Sequence, residues 1–219
     1  MSSAGERGNL ILLVADRNMK AALSGILNRP MALGIRQVMF EVVVHPRKDP
    51  GVLRFAHDFL RPFAGKFVHA MVVFDREGCG REVERRETLE ADVEQRLATS
   101  GWADRAKAVV IDPELESWVW SDSPVVDKAL GWAGRSPALR PWLAEKGFLL
   151  NVERKPDRPK EAVEAALRVV RVPRSSAIYR ELAESVSFRR CSDPAFEKLT
   201  ATLQWWFPPD EHIGKEDRP

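Results

Sequence analysis

Short apolar segments alternate with helix-like segments in the first half of the chain, and this alternation constrains the fold more than any other feature. The apolar, β-rich segments cover residues 9–14, 37–44, 67–74 and 107–111. They are separated by segments with helical spacing of apolar residues, which cover residues 17–28, 49–62 and 81–98. Alternating strands and helices predict a parallel sheet with helices on both faces. We therefore predict an α/β, Rossmann-like fold with a mostly parallel four-stranded sheet.

The second half of the chain carries helix signals only. Predicted helices cover residues 114–120, 125–132, 137–146, 159–170, 175–187 and 194–206. Several of them begin with an N-cap residue followed by proline, a pair typical of a first helical turn. We predict an α/β core over residues 9–122 and a helical portion over residues 123–207 that packs on the core. A polar tail over residues 208–219 is predicted to be disordered.

Composition narrows the class of protein. The chain has 219 residues and a net charge of +2, so a surface for nucleic acid must come from local clusters of basic residues. Its two cysteines, Cys79 and Cys191, are too few for a disulfide scaffold and lack metal-ligand spacing. No apolar segment approaches the roughly 20 residues that span a bilayer, and the first eight residues lack the apolar core of a signal peptide. We expect a cytoplasmic protein with no membrane partner.

Acidic residues follow the third apolar segment directly. Asp75 and Glu77 come after residues 67–74 and lead into a glycine-rich turn. In open α/β sheets, ligands bind beyond the carboxyl ends of the strands, where carboxylates can hold a hard divalent cation. This position predicts that Asp75 and Glu77 bind Mg²⁺ or Mn²⁺. The alternative is that Asp75 only caps the following turn.

A second acidic cluster follows the fourth apolar segment. Glu114 and Glu116 would point apart on a helix but would share one face if the chain stays extended. Acidic residues in a first helical turn also complement the helix dipole, so the spacing alone favours neither interpretation. Asp112, which precedes a proline, is predicted to be an N-cap.

Basic residues cluster in the second half of the chain. Lys155, Arg158 and Lys160 bracket two prolines at the start of a predicted helix, and Arg174 lies in a similar cluster. Such residues could bind phosphate oxygens, with help from the backbone donors of a helix N-terminus. The alternative is a solvated loop. Arg189-Arg190 form a third cluster.

Three stretches of the chain resemble the Toprim fold. Asp75-Arg76-Glu77 matches the acidic pair after the third Toprim strand, and residues 114–118 with Asp122 match an E-x-E-x-W…D helix start. Residues 155–160 and 192–199 match the helical C-terminal pattern of small bacterial Toprim-like proteins from phage-defence and restriction-associated gene clusters, which are similar to RloB-like and OLD-type nucleases. The resemblance extends from about residue 10 to residue 207. It implies a Mg²⁺-dependent nuclease in which Asp75, Glu77 and Glu116 bind metal.

One position departs from the Toprim pattern. Toprim nucleases carry a glutamate at the end of the first strand, whereas this chain has Ala15 followed by Asp16. One hypothesis is a nuclease of an anti-phage system in which Asp16 replaces the general base and acts with Asp75 and Glu77. A second hypothesis is a degenerate Toprim subunit that binds DNA, RNA or another defence subunit. A nucleotide-binding regulator is a third, although the chain lacks a P-loop motif.

Overall fold

The computed structural model describes residues 7–121, 123–151, 155–188 and 191–210, and it confirms the predicted α/β fold. Its strands are β1 (Gly8–Val14), β2 (Phe40–Val44), β3 (Phe67–Asp75) and β4 (Ala106–Ile111). They form one sheet in the order β2-β1-β3-β4, and every neighbouring pair is parallel. Asp122, Arg189, Arg190 and residues 211–219 of the predicted tail lie outside the described residues.

Helices connect and cover these strands. The first four are α1 (Arg17–Leu27), α2 (Pro30–Leu33), α3 (Lys48–Leu60) and α4 (Arg86–Leu97). Beyond the sheet come α5 (Pro124–Ala129), α6 (Leu139–Glu145), α7 (Pro159–Val170), α8 (Ser176–Ser185) and α9 (Pro194–Trp206). The shorter turns are the 3₁₀ helices Arg61–Phe63 and Leu115–Trp118 and the π-helical turn Ala98–Trp102.

Two predicted helices differ clearly from the observed ones. The helix predicted over residues 81–98 begins only at Arg86, because Arg81 holds the preceding turn through ion pairs with Glu84 and Asp92. This segment has few apolar residues to bury, so side-chain ion pairs determine its local conformation. The helix predicted over residues 114–120 is the single 3₁₀ turn Leu115–Trp118.

The sheet has its topological switch point between β1 and β3. The next strand after β1, β2, lies on one side of β1. The chain then crosses over, and β3 and β4 lie on the other side of β1. Ligands of open α/β sheets bind at the carboxyl end of such a switch point. Val14 of β1 pairs with Val73 of β3, so Asp16 and Asp75 follow at the same level of the two adjacent strands.

The C-terminal helices pack on the α/β core, with α8 against α1 and α9 against β4. Glu90 and Glu94 of α4 accept hydrogen bonds from the backbone N–H groups of Val110 and Ala108 on the outer strand β4, at 2.9 and 3.0 Å. Lys198 of α9 donates to both glutamates at 3.0 Å. This network covers the edge of β4, which would otherwise expose unpaired backbone donors.

The end of α9 is partly exposed. Trp205 is 69% exposed, whereas Trp206 and Phe207 are buried. The ring of Trp206 stacks on His69 of β3, with ring centroids 4.4 Å apart. No helix among the described residues has the length and apolar character that crossing a bilayer requires.

Gly51 of α3 makes a close packing contact that yields a stability prediction. A Cβ at this position would lie 2.3 Å from Nδ1 of the buried His45 and 2.5 Å from Cβ of Arg47. We expect Gly51→Ala to destabilise the fold by about 1–3 kcal/mol, since overpacking outweighs the gain in helix propensity. Gly65→Ala is the matched control, because its Cβ meets nothing within 4 Å. Urea unfolding of both variants measures the difference, and equal midpoints would contradict the packing argument.

Candidate functional site

Asp75 lies at the centre of a group of carboxylates at the carboxyl edge of the sheet. Its Oδ1 atom is buried and has no hydrogen-bond partner among the described residues. Burial raises the pKa of Asp75 well above its usual value. The neighbouring carboxylates of Asp49, Glu116, Asp16 and Glu114 raise it further. A buried, unpaired oxygen among like charges is costly, so this group favours either a proton or a cation.

Asp16 faces this group from the end of β1. Its backbone is extended, and its Oδ1 accepts a hydrogen bond from the N–H of Met19 at 2.8 Å, which caps α1. Ala15, where the resemblance to Toprim nucleases leads one to expect a glutamate, is 1% exposed and belongs to the core. The structure therefore brings Asp16, rather than residue 15, to the level of Asp75.

Asp49 also belongs to this group. The Asp49-Pro50 pair is typical of an N-cap and a first helical position, but Arg47 is the N-cap and Asp49 lies in the first turn of α3. Its Oδ1 instead accepts a hydrogen bond from the backbone N–H of Asp75 at 2.9 Å. Burial raises the pKa of Asp49, and the Asp16 carboxylate adds to this effect, while the Asp75 N–H and Lys160 oppose it. The signal in the sequence was an aspartate five residues beyond the end of the second strand, in the first turn of the helix that follows.

Glu116 reaches the group but is already bound by two partners. It is 1% exposed, and its Oε1 accepts hydrogen bonds from Arg174 Nη2 at 2.6 Å and from the Tyr179 hydroxyl. Arg174 also donates to Glu164 at 3.1 Å. Burial and the negative charge of Glu116 raise the pKa of Tyr179, so its hydroxyl remains a donor. Arg174, predicted to bind nucleic acid, thus neutralises a buried carboxylate.

Glu114 links the site to α7. Its backbone is extended, and its Oε1 accepts a hydrogen bond from the Lys160 N–H at the start of α7, at 3.0 Å. The Lys160 Nζ atom also lies 3.6 Å from Glu114 Oε2. Burial raises the pKa of Glu114, and the Glu116 carboxylate raises it further.

The remaining acidic candidates lie outside this group. Glu77 is exposed, and it is not one of the four carboxylates that most affect the pKa of Asp75. Asp112 is not the predicted N-cap, because Glu114 precedes the 3₁₀ turn and Asp112 forms an ion pair with Arg76 at 2.9 Å. That pairing follows from the register, which places the ends of β3 and β4 side by side.

The other basic candidates lie at the surface. Arg158 is exposed, and its guanidinium lies 5.6 Å from the centre of the Phe148 ring. Lys155 is also exposed, and its Nζ is 3.7 Å from Asp193 Oδ2. Of these three basic candidates, Lys160 in the first turn of α7 contacts the acidic group, through Glu114.

No protein-family model, curated protein or solved structure matches the chain. Within the described parts of the chain, no group of three or more His, Cys, Asp or Glu side chains forms a ready metal-ligand set. Magnesium often uses only one or two protein carboxylates and completes its shell with water and substrate phosphate. Asp75 and Asp49 meet this smaller requirement, because both carry carboxylate oxygens and the Asp75 backbone N–H donates to Asp49 Oδ1 at 2.9 Å.

Proposed function

We propose that the carboxyl edge of the sheet binds Mg²⁺ or Mn²⁺ through Asp75 and Asp49 and acts on a nucleic-acid phosphodiester. The observation that carries this proposal is the buried, unpaired Oδ1 of Asp75 among four other carboxylates. A divalent cation would offset their mutual repulsion, and its oxygen-only surroundings suit a hard metal. When bound, such a metal neutralises the charge that develops on a transferred phosphoryl group and can activate water.

Other residues of the chain would then position the water molecule, contact the substrate phosphate and hold the carboxylates in place. Asp16 stands at the level of Asp75 on the adjacent strand, where it can orient a water molecule or accept its proton. Lys160 lies beside Glu114 and can contact a phosphate oxygen of the substrate. Arg174 holds Glu116 in place and fixes the position of its negative charge near Asp75.

The sequence resemblance to Toprim nucleases supports the same proposal. Toprim proteins carry the acidic pair after the third strand, where this chain has Asp75 and Glu77. In the strand order of this sheet, the end of β3 lies at the switch point. On the basis of this resemblance, we propose a role in bacterial anti-phage defence, with Glu77 contacting the metal through a water molecule.

Cleavage of nucleic acid tests the proposed reaction. Wild type is incubated with single-stranded, double-stranded and supercoiled DNA and with RNA, with Mg²⁺, with Mn²⁺ or with a chelator. We expect metal-dependent cleavage of at least one substrate and a loss of roughly 100-fold or more in Asp75→Asn, since the metal supplies several kcal/mol of transition-state stabilisation. Glu145→Gln is the control for charge, because that carboxylate is 64% exposed. Cleavage that persists in Asp75→Asn would contradict the proposal.

A second candidate function is a binding subunit without catalysis. It is favoured by the position of Ala15 in the core and by the engagement of Glu116 with Arg174 and Tyr179. A subunit of this kind would bind nucleic acid with an affinity that falls as salt concentration rises, yet would cleave nothing. Binding measured over a range of salt concentrations, alongside the cleavage assay, separates the two candidates.

A further inference from the structure

Exposed basic residues lie beyond the ends of two neighbouring strands. Val14 of β1 pairs with Val44 of β2, so the two strands end at the same level at the carboxyl edge of the sheet. Arg17 is the first residue of α1, which follows β1. Arg47 is the N-cap and Lys48 the first residue of α3, which follows β2. All three side chains are exposed, so both loops present positive charge at this edge.

A fourth basic side chain extends to the turn after β3. Arg54 lies on α3 and is exposed. A Cβ at Gly80 would lie 3.4 Å from Arg54 Nη2, so the guanidinium reaches the glycine-rich turn that follows Asp75. We call these four side chains the basic rim: Arg17, Arg47, Lys48 and Arg54.

Ion pairs do not neutralise the basic rim. None of its four side chains lies within 4.0 Å of a carboxylate oxygen of the described residues. Asp58, one turn further along α3, pairs with Arg61 at 2.7 Å. Glu82 accepts a hydrogen bond from the Gly80 N–H at 2.8 Å. A set of basic side chains without carboxylate partners favours a polyanion such as the phosphate backbone of nucleic acid.

Two members of the acidic group adjoin the rim in sequence. Asp16 and Asp49 each accept a backbone hydrogen bond through Oδ1, from the N–H groups of Met19 and Asp75, at 2.8 and 2.9 Å. Their negative charge lowers the affinity of the rim for phosphate in the metal-free protein, but it leaves the rim side chains without ion pairs. A cation bound to the acidic group offsets this charge.

An exposed aromatic ring lies beside the rim. Phe55 of α3 is 39% exposed, and the Arg47 guanidinium lies 5.4 Å from the centre of its ring. Trp205 is the other exposed large aromatic side chain in the described parts of the chain, and it adjoins Trp206, which stacks on His69 near the start of β3. An unpaired base can stack on a ring such as Phe55, whereas the bases of a duplex stack on one another.

We propose that the basic rim and Phe55 bind single-stranded nucleic acid, with phosphates on the rim and a base stacked on Phe55. This inference rests on the proposed function in taking nucleic acid as the ligand, and it adds the form of the strand and the surface that holds it. A strand on the rim passes the acidic group, because the rim extends from the loops after β1 and β2 to the turn after β3. DNA and RNA strands share this chemistry.

Fluorescence anisotropy of the full chain measures the preference for single strands. The probes are labelled DNA and RNA single strands of about 20 nucleotides and the same DNA annealed to its complement, all in buffer with a chelator. We expect a single strand to bind about tenfold or more tightly than the duplex, because only unpaired bases can stack on Phe55. Equal or tighter binding of the duplex would overturn the proposal.

Substitutions of Phe55 test the stacking contact. Phe55→Leu retains an apolar side chain without a flat ring and should weaken binding of the single strand about fivefold or more, whereas Phe55→Trp should retain it. Trp205→Leu is the matched control, because that ring is 69% exposed and lies away from the rim. A loss in Trp205→Leu equal to that in Phe55→Leu, or no loss in either, would contradict the stacking contact.

The salt dependence of binding tests the phosphate contacts. Arg17→Gln with Lys48→Gln should reduce the slope of log affinity against log salt by about 1.4, since each phosphate contact with a single strand contributes about 0.7. Lys66→Gln with Lys146→Gln removes two exposed positive charges elsewhere and should leave the slope unchanged. Equal slopes in the two double variants would overturn the assignment of the rim.

The outcomes separate this inference from the proposed reaction, because binding is measured without metal. Metal-dependent cleavage by wild type, together with unchanged binding in the Phe55 and rim variants, would refute the binding surface and leave the nuclease. Failure of both binding and cleavage would refute both proposals.

Discussion

Replacing Asp75 by asparagine is expected to raise the melting temperature of the metal-free protein and to abolish the further rise that Mg²⁺ causes in wild type. The first effect follows because the substitution removes a buried, unpaired negative charge from a group of carboxylates. Removing one unpaired charge from such a group should stabilise the folded state by about 1–3 kcal/mol. The second effect follows because Mg²⁺ at 100 times its Kd stabilises wild type by about 2.7 kcal/mol, or roughly 5–10 °C for a chain of this size.

The pH dependence of the first effect has a definite sign. The pKa of Asp75 is raised in the folded protein, so the folded state binds its proton more tightly than the unfolded state. Metal-free wild type therefore loses stability as pH rises from about 3.9, the unfolded value, through the folded pKa. The stability difference between Asp75→Asn and wild type should grow over the same range and should vanish below it.

Differential scanning calorimetry with and without Mg²⁺ measures both effects. Glu145→Gln removes one exposed negative charge and should change neither the metal-free melting temperature nor the response to Mg²⁺. Glu77→Gln tests the sequence-based assignment of Glu77, since a lost Mg²⁺ response in this variant would make Glu77 a ligand. An equal Mg²⁺ response in wild type and Asp75→Asn would contradict the proposed metal site.

Replacing Arg174 by alanine is expected to cost about 3 kcal/mol of stability. Arg174 is 27% exposed, but its partner Glu116 is 2% exposed in its side chain and would remain as a buried charge with only the Tyr179 hydroxyl bound to it. Removing one partner of a buried ion pair typically costs about 3–5 kcal/mol, and the partial exposure of Arg174 places this case at the lower end. Urea unfolding at neutral pH measures the loss.

A double-mutant cycle separates the buried charge from the packing of Arg174. Glu116→Gln in the Arg174→Ala background removes the uncompensated charge and should recover most of the lost stability. Arg180→Ala on α8 is the matched control, because that side chain is exposed, and it should change stability by less than about 0.5 kcal/mol. If Glu116→Gln recovers nothing, then the ion pair is not the source of the loss.

The fold was predictable from local patterns, and so was the position of Asp75 at the carboxyl edge of the sheet. Alternating apolar segments define the four parallel strands, and the strand-end rule identifies Asp75 without knowledge of any tertiary contact. The bond from Asp75 N–H to Asp49 crosses between α3 and β3, so no local pattern contains it. The Glu116–Arg174 pair joins residues 58 positions apart, which explains why Arg174 resembled a surface phosphate contact in the sequence.

Side-chain direction accounts for the other difference between the predicted residues and the observed group of carboxylates. The sequence grouped Glu77 with Asp75 because both follow the third apolar segment, but β3 ends at Asp75 and the chain then turns, with a positive φ of 78° at Gly78. In a strand, side chains two residues apart point to the same face of the sheet, but this alternation does not continue through such a turn. Glu77 is therefore exposed, while Asp49, from another element, lies beside Asp75.

Direct binding of Mn²⁺, followed by electron paramagnetic resonance of the free ion, tests the central claim that Asp75 holds a metal at the switch point of the sheet. We expect one bound Mn²⁺ per wild-type chain, displacement of that ion by excess Mg²⁺, and no binding to Asp75→Asn. Equal binding of Mn²⁺ to wild type and Asp75→Asn, or no binding to wild type, would contradict the claim.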